Sequence, residues 1–134
     1  YQKFTPFYHT AIKNKVRLPV HKLIKGDKKT KTKYSIDIKK MQTFYENNNN
    51  IHIHGSRSNG LKILHNMKHF SSYEKTRNTL HIETTNLSAY LKFGCISIRE
   101  CYYAMKKMGS HDLLRQLIWR EFYYYLGFNF IERL

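Results

Sequence analysis

Acidic residues are scarce in this chain of 134 residues: nine Asp and Glu stand against 24 Lys and Arg, a formal net charge of +15. A field of that strength favours a polyanionic partner, nucleic acid first. Cysteine is nearly absent. Cys95 and Cys101 are too few for a disulfide framework, and their apolar neighbours suit reduced thiols that serve as packing residues. No apolar run approaches the roughly 20 residues that a transmembrane helix requires, and the opening YQKFTPFYHT is not a signal peptide. A soluble, intracellular protein is the expectation. No basic amphipathic helix with a clean apolar face is present to lie on a membrane. A GxxxxGK[ST] phosphate loop and a GxSxG nucleophile elbow are both missing, so NTPase and α/β-hydrolase chemistry have no support.

What is present argues for a folded domain. Apolar residues make up 41% and aromatics 15%, too rich for intrinsic disorder despite a mean hydropathy of −0.64. A chain of this length fits one domain and can bury roughly two-thirds of its unfolded surface. The charge is uneven: residues 13 to 40 hold eleven Lys or Arg against Asp27 and Asp37. With Gly26 and the aperiodic run GDKKTKTK, that segment reads as a basic linker. Asn47 to Asn50 form a second low-complexity patch. The division expected is residues 1–56 as a junction and basic linker, and 57–134 as the folded part.

The fold class expected is mainly α. Leu61, Leu64 and Met67 recur at helical spacing. TTNLSAYLKFG sets hydroxyls before an apolar turn that Gly94 ends. In ISIREC, Ser97 and Glu100 have the spacing of a capping box, and Ile96 and Cys101 that of a hydrophobic staple, so a helix should run from about 98 through Met108 to Gly109. Ser110 then caps a last helix to about 126, with Asp112 where the macrodipole favours a carboxylate. The alternation in IHIH, residues 51 to 54, is the one strand signal and is short.

Three groups of residues could carry chemistry. On the last helix, Leu114, Leu117, Ile118, Phe122, Tyr125 and Leu126 form a core stripe, while Leu113, Gln116, Trp119, Arg120 and Tyr123 form another. The second stripe can stack on a base or flavin and hydrogen-bond to phosphates; periodicity alone equally allows Trp119 as a core contact and Arg120 in a local ion pair. Tyr73 and Arg77 stand one helical turn apart, and Thr84, Thr85 and Ser88 lie where a helix begins, an arrangement that suits a phosphate or serves only as a cap. His52 with His54, and His65 with His69, make pairs without a nearby Cys, and no metal site is expected from them.

Read together, TTNLSAYLKFGCISIRECYYAM and QLIWREFYYYL resemble two linked blocks of the DNA photolyase/cryptochrome family. The family pattern is T-S-x-L-S-x-Y/H-L-x-x-G-x-(I/L)-S-x-R followed by (E/Q)-L-(I/L)-W-R-E-F-(Y/F). GSRSNGLKIL is similar to its GGR-x-x-A-L-x-x-L helix, and FTPF at 4 to 7 to the motif that closes its N-terminal α/β domain. The resemblance implies the N-terminal half of the multi-helical domain that binds FAD. The activity implied is that of a carbon–carbon lyase of the deoxyribodipyrimidine photolyase type, which splits UV-induced pyrimidine dimers by light-driven electron transfer from flavin. It implies FAD contacts at Tyr73, Thr84, Thr85, Asn86, Leu87, Ser88 and Arg120. Contacts to DNA or its lesion are implied at Arg77, Gln116, Trp119 and Arg120. Thus Trp119 and Arg120 pass from a bland reading to a site face.

Leu113 stands where many members carry an aromatic residue. Gln116 stands where cyclobutane-dimer photolyases carry Glu and where (6-4) photolyases and animal cryptochromes carry Gln. Most of the family's antenna domain and its C-terminal helices have no counterpart here, so no antenna chromophore is expected, and a separate C-terminal chain is the partner expected to complete the enzyme. A cryptochrome-type photoreceptor, or a basic DNA-binding module without flavin, is the alternative.

Overall fold

The computed structural model describes residues 1–20, 32–46 and 48–130. Every regular element among them is a helix: α1 (Phe4–Ala11), α2 (Ile38–Met41), α3 (Arg57–His65), α4 (Tyr73–Thr76), α5 (Leu87–Lys92), α6 (Ile98–Met108) and α7 (His111–Phe130), with 3₁₀ turns at Gln42–Phe44 and Met67–Phe70. The mainly helical expectation therefore holds. The IHIH alternation forms no strand; four residues without a pairing partner leave the backbone unsatisfied as a ladder.

Contacts divide the chain into two compact units. One runs over Val20–His54; its described part holds α2, a single turn capped by the Asp37 carboxylate, which accepts from the Lys39 N–H at 2.8 Å. Its large apolar side chains, Tyr34, Ile38 and Phe44 among them, are exposed. The centre of the basic segment, residues 21 to 31, lies outside the described residues.

The other unit joins Tyr1–Pro19 to the residues from Gly55 onward. The α6 start follows its sequence closely: Ser97 Oγ accepts from the Glu100 N–H at 3.2 Å, and the Glu100 carboxylate accepts from the Ser97 N–H at 2.8 Å. Gly109, at φ 77°, ends it. Ser110 Oγ then accepts from the Leu113 N–H at 3.4 Å and α7 continues to Phe130, one turn beyond the expected end. The two helices, joined by the short turn at Gly109 and Ser110, pack against each other. Their contact buries Cys101, Met105, Leu113 and Leu117. Burial, with the charge of Glu100 adding to it, pushes the Cys101 thiol up to about 12, so it stays protonated and inert. Cys95 is half-buried.

Helices α3 and α5 close the other side. Leu64, Met67, Leu87, Tyr90 and Ile96 are buried, and α3 reaches them because Gly60 has no side chain: a Cβ there would meet Ile96 Cγ2 at 2.8 Å and Tyr90 Cδ1 at 3.1 Å. Arg57 clamps the packing with two hydrogen bonds to Glu100 and one to the Cys95 carbonyl. The guanidinium holds the Glu100 carboxyl down to about 2. α5 departs from its expected start: Asn86, not a hydroxyl residue, is the cap, in the left-handed region at φ 50° and ψ 17° without a side-chain cap bond. Asn tolerates that conformation better than Thr.

α1 was absent from the sequence expectation, which left residues 1–19 in the junction. Its Phe4 is buried, stacked on Trp119 at 3.6 Å with 6° between the planes, and Phe7 lies 5.3 Å from Phe122. Behind it, the Val16 carbonyl accepts from Tyr103 Oη at 2.6 Å.

Candidate functional site

Two strips of chain far apart in sequence face each other across one cavity of about 480 Å³. One wall is the approach to α5: Thr84, Thr85, Asn86, Leu87 and Ser88, continued by Leu91 and Lys92. The other is the side of α7 that carries Leu113, Gln116, Leu117, Arg120 and Tyr124. Tyr73 from α4 and Met105 from α6 complete it. The α7 residues recur every three or four positions, so a single helical face delivers them all.

The polar groups are arranged for an anion rather than a cation. Hydroxyls of Thr84, Thr85 and Ser88 and the cations of Lys92 and Arg120 line the cavity, and no carboxylate does among the described residues. Arg120 is held from outside: Glu121 accepts from Nη1 at 2.5 Å, and the guanidinium lies 4.6 Å from the Tyr124 ring centroid. Asn86 donates to Glu83 Oε1 at 2.6 Å, which fixes its amide beside the Thr pair. Leu87, Leu91, Met105, Leu113 and Leu117, with the rings of Tyr73 and Tyr124, form the apolar surface. Such a site can hold a flat ring against its apolar walls while donors meet a phosphate.

Of the residues singled out in the sequence, Tyr73, Thr84, Thr85, Asn86, Leu87, Ser88, Gln116 and Arg120 meet at this cavity. Arg77 does not; it is exposed at the end of α4. Trp119 also lies outside the lining, turned toward α1 and its stack on Phe4. The second stripe of α7 thus splits: at 100° per residue Trp119 lies about 60° from Gln116 but about 100° from Arg120, at the edge of the stripe that meets α1. The core stripe needs correction too: Leu114 and Ile118 are half-buried and line an apolar groove of about 500 Å³ with Ile12, Val16 and Tyr102. Among the described residues α1, the segment after it and the start of α6 line that face.

Lys92, Leu91 and Tyr124 escaped sequence reasoning. A signal existed: Lys92 is one turn beyond Ser88, and Tyr124 one turn beyond Arg120.

No three His, Cys, Asp or Glu side chains gather as metal ligands among the described residues. No described helix is long and apolar enough to cross a membrane.

An all-helical unit enclosing an anion-accepting cavity with apolar and aromatic walls defines the class of site. Comparison with known proteins gives partial matches. The chain is 39% identical to Cryptochrome-2 of Gallus gallus over 71 residues, covering 44% of this chain and 12% of that protein. It is 44% identical to the (6-4)DNA photolyase of Arabidopsis thaliana over 55 residues, 34% of this chain and 10% of that protein. Cryptochrome-1 of Mus musculus is 37% identical over 71 residues, 44% of this chain and 12% of that protein. Over the matched stretch the chain is similar to proteins of the photolyase/cryptochrome family, and its helical architecture agrees with the helical domain of that family. The chain spans about a tenth of the length of these curated relatives. No protein-family model and no solved structure matches it.

Proposed function

We propose that this chain supplies the FAD-contacting and DNA-contacting part of a light-driven photolyase that acts on UV-induced pyrimidine dimers. The observation that carries the reading is the convergence of Thr84 to Ser88 with Gln116 and Arg120 at one cavity that has cations and hydroxyls but no carboxylate in its lining. FAD fits that donor set: a diphosphate takes the hydroxyls, Lys92 and Arg120, and flat rings take the apolar walls and Tyr73 or Tyr124. When bound, FAD would supply the light-driven electron donation. The chain's own residues would hold its phosphates, exclude water along Leu87, Leu113 and Leu117, and direct the Gln116 amide into the same cavity. The net charge of +15 favours DNA as the other partner. Arg77, exposed near Tyr73, fits the role of a phosphate contact.

Titration of the chain with FAD tests the cofactor: quenching of flavin fluorescence that Arg120→Ala weakens is the expected result. No spectral change, alone or with a chain supplying the C-terminal part of a relative, would falsify the flavin reading. Blue-light repair of DNA carrying cyclobutane dimers or (6-4) products, by both chains together, tests the activity.

A second reading, a cryptochrome-type flavin photoreceptor, is favoured by the matches to Cryptochrome-1 and Cryptochrome-2. Flavin binding without repair of either lesion would select it. DNA binding without flavin would instead leave a basic helical module.

A further inference from the structure

The groove of about 500 Å³ between α1, the start of α6 and α7 is a separate space from the cavity proposed for FAD, and the two linings share only Leu117. Its volume is that of a site for a small organic molecule. Ile12, Val16, Ile98, Leu114 and Ile118 make the walls aliphatic, and the rings of Tyr8 and Tyr102 close them. Ile12 is exposed at 51%, whereas the other six are half-buried. The apolar surface thus lies inside a recess. A protein partner needs roughly 800 Å² of surface on each side, a broad face that a recess does not offer. Four polar side chains complete the lining: Asn14, Arg99, His111 and Glu121. Glu121 is already engaged, since its carboxylate accepts from Arg120 Nη1 at 2.5 Å. Arg99 is not: among the described residues this half-buried side chain has no hydrogen bond and no ion pair. A guanidinium set among aliphatic walls gains most from a carboxylate, which its planar fork can meet with two parallel hydrogen bonds.

We infer that this groove is a second ligand site, which takes a small organic acid with its carboxylate on Arg99 and its apolar body against Ile12, Leu114 and Ile118. The inference is independent of flavin and of DNA. Arg99 supplies the charge recognition, and the aliphatic walls supply most of the affinity by excluding water from the body of the ligand. The pairing of Glu121 with Arg120 matters to the choice of ligand, because it leaves the free charge of the groove positive and so selects an acid over an amine.

Decanoate is the probe, with decanol as its uncharged counterpart, each titrated into the whole chain by calorimetry. Decanoate should bind more tightly than decanol. Arg99→Met should weaken decanoate at least about tenfold, the worth of a charge-assisted pair, and leave decanol unchanged. Ile12→Glu sets a like charge against the ligand at an exposed position and should abolish decanoate binding; it carries the test even if Arg99→Met fails to fold. Lys92→Ala, on the other cavity, should change nothing. Absence of decanoate binding overturns the proposal, as does binding that Ile12→Glu and any folded Arg99→Met protein leave unaltered. Binding that Lys92→Ala removes overturns it by placing decanoate in the other cavity. A chain that sediments as a dimer and binds no decanoate overturns it in favour of a second copy seated on the groove.

Discussion

Ser56 has φ 107° and ψ 152°, a backbone region that a residue with a side chain enters only when its surroundings impose it, at a cost of about 1–3 kcal/mol. What imposes it is the entry to α3, where Arg57 must reach Glu100 while Gly60 seats against Ile96. The compensating cap is slight, since Ser56 Oγ accepts from the Asn59 N–H at 3.3 Å. Glycine at an N-cap loses only a few tenths of a kcal/mol relative to serine. Ser56→Gly is therefore expected to stabilise the chain by about 1 kcal/mol, read as a higher Tm in thermal unfolding. A lower Tm would show that the cap outweighs the strain. The family's GGR pattern, which the sequence GSR departs from at this residue, marks the same position. The strain itself was not legible, because it depends on where the chain arrives from.

Among the elements, α6 was the most legible because its start and stop are local: Ser97, Glu100 and Gly109 need nothing from the rest of the fold. α1 was not, because FTPFYHTA has no cap bond, and what favours its helix is Phe4 against Trp119, more than a hundred residues away. The faces of α7 show the same limit. Periodicity found stripes but could not say which neighbour covers each, so Leu114 and Ile118 were placed in the core while Leu113 proved the more buried. The cavity residues were legible through the resemblance rather than through spacing, since Thr84 and Arg120 meet only by tertiary packing.

The Arg57–Glu100 clamp gives the element scale its prediction. The Glu100 carboxyl is lowered from its ordinary 4.5 to about 2, chiefly by its hydrogen bond with Arg57. A carboxyl held low in the folded state contributes stability that is present above pH about 4.5 and is lost as pH falls toward 2. Glu100→Gln keeps a capping side chain but removes the charge. The variant is expected to be less stable by about 1 kcal/mol at pH 7, a modest figure because Arg57 is about half exposed. The gap to wild type should close between pH 4.5 and 2 in denaturant titrations. A gap independent of pH would assign the loss to shape rather than charge.

For the whole molecule, charge and cavity are separable. Lys13, Lys15, Arg17, Lys33, Lys39 and Lys40 are all exposed, and none lines the proposed FAD cavity. Binding to undamaged duplex DNA should be dominated by counterion release, with log affinity falling linearly in log salt at a slope of about −0.9 per phosphate neutralised. Replacing these six by Gln lowers the formal charge from +15 to about +9, and each residue that meets a phosphate should take about 0.9 from the slope. FAD titration of the same variant should match wild type, because none of the six lines the proposed FAD cavity. An unchanged salt slope would place the DNA surface elsewhere, on Arg77, Arg115 and the lysines of the helical unit. A loss of FAD affinity alongside it would overturn the separation of charge from cavity.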